Sequence, residues 1–375
     1  MTRRFATLVV LALLAAACGG SDESDAATGA DASGSSEATD TASSDTPDPQ
    51  PDDPEPEPEA SPEDDEPDPE PDDTDPAPEP VFPRTVTDAL GNEFVLDQPA
   101  RIGCAWTGCD ELHATLGVVI GAGAPLAGYE DSPMFYPLGP PSFIPSNVFD
   151  VEDWSESGID FVLRRVPEDP FFTNLEAVVN VFHLHHPSYG DSTSVGFQAY
   201  LDNLDLVGRL LGREAEAAAA IERLQTMVDD LTAMSTPETR ARTVAILFPG
   251  DGYQVIGDEN PFCDVLALTG LGDCLDYGTV EIGAEAMLQE DPDWIIYQGG
   301  AESSTEDRTD PTWERLTAVQ AGQVIDSRFG QYYCCGDRTL VFGLQEFVAA
   351  SLSDSGIPAP GDPTTFDPDT SPLFG

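Results

Sequence analysis

A chain of 375 residues with 70 acidic against 15 basic side chains, no lysine and a net charge of −55 would repel a phosphate backbone, which excludes nucleic acid as a partner. The charge is uneven: 23 of the acids lie between Gly19 and Pro80, where there is no Lys or Arg, leaving 47 against 13 arginines from Val81 onward. Acidity spread so broadly sets solubility in the surroundings rather than a site.

Residues 1–17 read as a signal peptide. Arg3 and Arg4 precede an apolar run from Phe5 to Ala17 that ends in small residues, shorter than the roughly 20 residues a membrane span needs. Leu14-Ala15-Ala16-Ala17-Cys18 resembles the bacterial lipobox, although Ala15 stands where that pattern usually has leucine. The resemblance implies cleavage before Cys18, lipid on its sulfur, and a mature protein tied to the cell membrane outside the cytoplasm. Residues 18–83 then form a disordered acidic linker, because high charge with almost no large apolar residue cannot offset the entropy of ordering. Its Pro-rich half favours extended polyproline conformations at about 3.1 Å per residue.

The folded part is long enough for two lobes. It opens with two alternating runs around Gly91-Asn92, a hairpin signal over Thr85–Leu96. An α/β pattern follows: strand Ile102–Trp106, helix Asp110–Leu116 closed by Gly117, strand Leu126–Tyr129, and a loop over Asp131–Val148. Next come a short helix from Glu152, strand Ile159–Leu163, a helix near Leu175 and strand Val179–His185. The strongest helix former runs from Arg213 to Met234 and ends at Pro237. Beyond it lie strand Thr243–Phe248, helices Phe262–Leu268 and Ala284–Gln289, strand Trp294–Tyr297, helix Pro311–Val319, strand Gln323–Ile325 and helix Leu340–Leu352. Strands alternating with helices predict a mainly parallel sheet in each lobe.

Six cysteines remain after Cys18, an even number in a disulfide-permissive compartment. Cys104 with Cys109 and Cys263 with Cys274 each close a short loop, while adjacent Cys334 and Cys335 form a vicinal bridge or find other partners; spacing leaves every connectivity open. No C-x-x-C pair occurs, which weakens a zinc reading.

One short pattern recurs. Glu152 stands eight residues before Asp160 and Glu285 eight before Asp293, each box leading into a strand. With Val86-Thr87-Asp88-Ala89-Leu90-Gly91, Pro99-Ala100-Arg101-Ile102, Leu210-Leu211-Gly212-Arg213-Glu214 and Trp313 to Val324, these boxes resemble the periplasmic binding proteins of ABC importers for iron siderophores, haem and cobalamin. The resemblance covers Arg84 to about Ser353. It implies two Rossmann-like α/β lobes joined by one long helix: an N-terminal lobe over 84–212, a linking helix over 213–236, a C-terminal lobe over 237–355, and a tail over 356–375. It also implies a monomer that needs no catalytic residue and no cofactor, and that delivers an iron chelate, haem or corrinoid to an ABC permease and its ATPase. Glu152 and Glu285 match the family's permease-docking glutamates. The alternative is that each favours a helix N-terminus through its dipole.

Ligands of open α/β sheets bind beyond the carboxyl ends of the strands. The candidates there are Trp106, Tyr129, Phe135, Tyr136, Arg164, Arg165, His183, His185, His186 and Tyr189 on the first lobe, and Tyr253, Gln298, Arg328, Tyr332, Tyr333 and Arg338 on the second. Aromatics supply area to bulky ligands and arginine grips anionic oxygens. His183-Leu184-His185-His186 holds three of the four histidines, and His183 and His185 share a strand face, so metal or haem-iron coordination by that pair is one reading. A metal-dependent hydrolase using the cluster is the rival from another class, but no H-E-x-x-H or G-x-S-x-G accompanies it. A surface interaction protein that kept the fold without transport is the third reading.

Overall fold

The computed structural model describes residues 81–374 except 105–106, 124–128, 130, 146–150, 167–174, 187–193, 249–252, 258–259, 278–279, 299–307, 309–310 and 328–336. The expected signal peptide, Cys18 and the expected linker thus lie outside the described residues, as do Trp106, Tyr189, Arg328, Tyr332, Tyr333, Cys334 and Cys335. Among the described residues no helix is long and apolar enough to cross a membrane.

The chain enters through an antiparallel hairpin, β1 (Arg84–Thr87) and β2 (Glu93–Leu96), with Arg84 opposite Leu96. Asp88 builds its turn: the carboxylate accepts the backbone N–H groups of Leu90 and Asn92 and the Asn92 side-chain amide at 2.8–3.0 Å. Gly91 takes φ +85°, a conformation side chains resist. Phe94 then packs edge-on against Phe161, 5.1 Å between centroids, and seats the hairpin against the first sheet.

That sheet has four parallel strands in the order β4 (Ala122–Gly123), β3 (Ile102–Cys104), β5 (Phe161–Val166), β6 (Asn180–His185). Strand alternation sends Phe161, Leu163, Phe182 and Leu184 into the main core and Val162 and Val181 to a smaller cluster capped by Trp154. Trp154 comes from α2 (Val151–Glu156), which follows α1 (Thr107–Thr115).

The second sheet runs β10 (Val280–Ile282), β8 (Tyr253–Ile256), β7 (Thr243–Phe248), β11 (Trp294–Gln298), β12 (Val324–Ser327), with β9 (Asp273–Cys274) also on β7. β7, β9, β11 and β12 are parallel, whereas β8 and β10 are antiparallel. The expectation of parallel strands therefore holds throughout the first sheet and for the centre of the second, which carries an antiparallel edge in addition.

Two long helices join the halves. α3 (Gly196–Leu211) runs directly into α4 (Glu214–Ala233) across Gly212, which closes α3 at φ +68°. α4 occupies the expected linking position and buries Ala217, Ala220, Leu224, Met227 and Leu231. α3 was not anticipated, although Phe197, Tyr200, Leu201, Leu204, Val207 and Leu211 recur at helical spacing and are all buried. The two helices touch closely: a Cβ on Gly208 would lie 2.6 Å from that of Ala217. One apolar cluster extends from Phe182 through both helices to Ile246 and Ile296, so the sheets share a core.

The remaining helices are α5 (Pro261–Thr269), α6 (Ala284–Glu290), α7 (Thr317–Ala321) and α8 (Asp337–Ser351). Expectation and structure differ in four further places. Residues 126–128 of the expected fourth strand lie outside the described residues, and the strand seen is Ala122–Gly123. The helix near Leu175 is one 3-10 turn, and the helix over Pro311–Val319 is split into a 3-10 turn, Trp313–Arg315, followed by α7. The final segment, expected as a tail, is packed: Phe366 stacks edge-on with Phe342 at 5.0 Å and Leu373 is buried.

A surface with so large an excess of carboxylates repels itself. Raising monovalent salt from about 0.1 to 1 M shortens the screening length from about 10 to 3 Å, so the melting temperature of the mature chain is expected to rise. A calorimetric Tm that falls with salt would show that attractive ion pairs outweigh the repulsion.

Candidate functional site

The carboxyl ends of the parallel strands are marked by Cys104, Val166 and His185 in the first sheet and Phe248, Gln298 and Ser327 in the second. At the first of these, a disulfide joins Cys104 to Cys109 in α1, with Cα atoms 5.5 Å apart. It brackets the segment that holds Trp106. The His113 ring, buried against it, places Nδ1 3.0 Å from the Cys109 carbonyl, and burial holds its pKa down to about 4. The ligand atoms of Cys104, Cys109 and His113 lie within 4.8 Å of one another, but the two sulfurs are bonded to each other, so the trio is not a metal centre. A second disulfide, Cys263 to Cys274, pins α5 to β9.

The histidine cluster divides into separate roles. His183 Nδ1 lies 2.8 Å from Asp88 Oδ2, and its backbone N–H donates to the same oxygen at 3.2 Å. The Ala89 N–H donates in return to the His183 carbonyl at 2.9 Å. His183 is therefore the clip between β6 and the hairpin turn, its Nε2 buried without a hydrogen bond among the described residues. His185 is held through its backbone, where both N–H and C=O pair with the Asn203 side-chain amide at 2.8 and 2.9 Å. Burial pushes its ring pKa down. His186 falls to about 2, through burial first and then the Arg165 charge. Among the described residues, these imidazoles do not gather with other ligands into a three-membered metal group.

Three of the expected ligand contacts are placed in the interior. Arg338, only 2% exposed, donates from Nε to the Met134 carbonyl at 2.7 Å and from Nη2 to the Pro133 carbonyl at 3.0 Å, while Nη1 pairs with Asp369 at 3.0 Å. All three nitrogens are occupied by the protein, so the expected grip on a ligand is corrected to a structural role. Tyr136 belongs to the main core beside Phe135, and Tyr253 stacks at 6.5 Å on Trp313 in the core of the second sheet. Both are packing residues. Tyr129 is intermediate: it packs edge-on against Phe135 at 5.7 Å, and burial and then Asp362 raise its pKa.

Arg164 and Arg165, by contrast, end β5 at the carboxyl edge, Arg164 buried beside His183 in register and Arg165 half-buried next to His186. Gln298 ends the middle parallel strand of the second sheet opposite Ser327; it is buried and neither amide atom has a partner among the described residues. One residue the sequence reading passed over is Arg308, whose guanidinium lies over the Tyr297 ring at 4.2 Å and pairs with Asp326. Nothing in its local sequence marks it.

The recurring boxes prove equivalent in three dimensions. In each, a glutamate is exposed in the first turn of a short helix, Glu152 in α2 and Glu285 in α6. Two residues on, Trp154 and Met287 are buried against the sheet face that points away from the shared core. The aspartates then tie neighbouring strands: Asp160 accepts the Arg101 N–H and Asp293 the Thr243 N–H, each at 2.8 Å.

The family described as periplasmic binding protein matches residues 160–329. No curated protein matches the chain. Among solved structures, an ABC-type Fe3+-hydroxamate transport protein from Saccharomonospora viridis is 22% identical, with a TM-score of 0.54 over 72% of this chain and 99% of its own. The triscatecholate siderophore binding protein FeuA from Bacillus subtilis, complexed with ferri-bacillibactin, is 14% identical with a TM-score of 0.56, over 68% of this chain and 93% of its own. FhuD2 from Staphylococcus aureus, with bound ferrioxamine B, is 17% identical with a TM-score of 0.54, over 68% and 99%. The folded part of this chain thus has the fold of the periplasmic binding proteins, and residues 160–329 match that family.

Proposed function

We propose that the protein is an extracytoplasmic binding lipoprotein that captures an iron chelate of the siderophore type between its two halves and hands it to an ABC permease. It binds without catalysis and needs no cofactor. The observation that carries the reading is the pair of equivalent boxes: two exposed carboxylates, Glu152 and Glu285, held in the same local frame on each half, as a two-fold partner would require. Complementary charge of that kind sets orientation and encounter rate. Of the three solved structures named above, one is described as an Fe3+-hydroxamate transport system, one as a triscatecholate siderophore binding protein, and one holds ferrioxamine B. Arg164 and Arg165 at the carboxyl edge of β5 offer cations to the anionic oxygens of such a chelate. Cys18 supplies the lipid anchor, and the acidic linker lets the domain reach its permease.

The test titrates the mature chain with ferrioxamine B, a ferric triscatecholate, haem and cobalamin, following tryptophan fluorescence. Saturable quenching by one of the iron chelates is expected, weakened about tenfold or more by Arg165→Ala, the loss expected of a charge-assisted contact. Binding of haem or cobalamin alone would replace the siderophore reading, and silence from all four would remove it. Replacing Glu152 and Glu285 by alanine is expected to leave this affinity unchanged and to abolish transport in reconstituted vesicles. Unchanged transport would return both glutamates to the helix-dipole role.

A further inference from the structure

The last segment of the chain has a composition that favours rigidity. Residues 356–374 contain five prolines, and Asp362-Pro363 and Asp367-Pro368 repeat one turn signal. In each, proline fixes the backbone and the aspartate side chain closes the turn. Asp362 accepts the Thr364 N–H at 2.8 Å, and Asp367 the Asp369 N–H at 3.1 Å. A chain so restricted before folding loses less entropy when it docks.

It docks on three parts of the fold. On the second half, Gln345 of α8 donates to the Pro358 carbonyl at 3.0 Å and accepts the Ser371 hydroxyl at 2.8 Å, so one side chain holds two separate points of the segment. Between those points Phe366 meets Phe342 edge-on at 5.0 Å. On the linking helix α4, Arg223 pairs with Asp369 at 3.0 Å and lies over the Phe374 ring at 5.5 Å. On the first half, the Pro363 carbonyl accepts the buried Ser132 hydroxyl at 3.1 Å.

Ser132 organises a loop that follows β4. Its carbonyl accepts the N–H groups of Phe135 and Tyr136 at 3.1 and 2.8 Å, and Gly139 N–H donates to the Tyr136 carbonyl at 3.0 Å. Arg338 grips the same loop at the Pro133 and Met134 carbonyls, and Asp369 of the last segment takes its remaining nitrogen. The Arg223–Asp369 pair is exposed and contributes little alone. Arg338 is only 2% exposed, so the carboxylate that completes its contacts matters more.

We propose that residues 356–374 are a strap that holds the 132–139 loop of the first half against α8 and α4, so that the loop keeps its shape only while the strap is seated. The loop leaves β4 at the carboxyl edge of the first sheet, and a seated strap therefore presets that edge. This holds whether or not the cleft takes an iron chelate.

Hydrogen exchange of the mature chain tests the strap without a ligand. The reporters are the amides of Ser132, Phe135, Tyr136 and Gly139, each hydrogen-bonded within the loop. Asp369→Ala is expected to speed their exchange about tenfold, the factor that the net loss of one hydrogen bond produces. Phe366→Leu, which gives up the edge-on contact but keeps most of the buried area, should act in the same direction and decides alone if Asp369→Ala fails to fold by circular dichroism. In both, the loop should accelerate by a larger factor than the amides of β7 and β11, which report opening of the second sheet. Wild-type exchange at the loop amides, or acceleration no greater than that of β7 and β11, would overturn the proposal, since the segment would then cover α8 without holding the loop.

Discussion

Arg338→Ala is expected to lower the unfolding free energy by about 3–5 kcal/mol, the range for removing one partner of a buried charged network. The guanidinium joins three parts of the fold: its own helix α8, the Pro133–Met134 backbone, and Asp369 in the C-terminal segment. Its loss strands the carbonyl of the fully buried Met134 and leaves that of the half-buried Pro133 without its donor. Asp369 would keep only Arg223 of α4, 3.0 Å away. Arg338→Lys should recover less than half, since an ammonium cannot reproduce three divergent donors. Urea unfolding of the mature chain measures both. A wild-type midpoint in Arg338→Ala would mean that the C-terminal segment is not fastened through this residue. The deficit should also depend on pH. Burial works against the Asp369 carboxylate, but Arg338 and then Arg223 hold its pKa below the ordinary value. The stability it contributes is present above the unfolded aspartate pKa and is lost as pH falls through the lowered folded value.

The second large effect is expected at Asp88. Its carboxylate gathers the N–H groups of Leu90, Asn92 and His183, the Asn92 amide and the His183 ring, and thereby couples the hairpin turn to the edge strand β6. Asp88→Ala should cost about 2–4 kcal/mol, because five donors, two of them on the buried His183, lose their acceptor at once. Asp88→Asn, which keeps one acceptor oxygen, should cost less. Burial opposes the charge, but the Asn92 and His183 hydrogen bonds prevail and lower its pKa. Its contribution is therefore full above the unfolded value and disappears in acid, so the wild type should lose stability more steeply than Asp88→Asn below about pH 4. Acid unfolding followed by near-ultraviolet circular dichroism distinguishes the two, and parallel curves would place the acid sensitivity elsewhere.

Asp88 also shows how legibility varied along the chain. The hairpin could be read from alternation and Gly91-Asn92 because its pairing is local, and β1 and β2 fall within the expected run apart from Arg84. β7, α4 and α8 were equally readable from periodicity, since each buries one stripe of its own residues. α3 carries the same periodicity and was passed over beside the stronger helix former of α4. β8 and β10 are four and three residues long, too short for a pattern to stand out from loop.

The candidate site was legible to a different degree. The Glu152 and Glu285 boxes were visible as a recurrence, and their equivalence in space follows from each being a local helix-to-strand unit. In sequence, Arg338 and Tyr136 fit a chelate because they are an arginine and an aromatic near strand ends. Both are buried because segments far away in the chain close over them: Arg338 meets a backbone some two hundred positions earlier, and Tyr136 enters the shared core. His183 was singled out for its neighbours in sequence, whereas its partner is 95 positions away.

What the sequence by itself determined is the order of its parts: an acidic, proline-rich stretch, then two α/β halves around a helical connection, with a glutamate box in each. These rest on composition and on periodicities of a few residues, which act before any long-range contact forms. Only the tertiary structure decided which polar side chains are enclosed, and by what. A carboxyl group's charge, an arginine's availability and a histidine's tautomer depend on groups that the fold brings together, as Glu111 meets Thr339 across 228 positions. Burial of a charge takes its meaning from those partners.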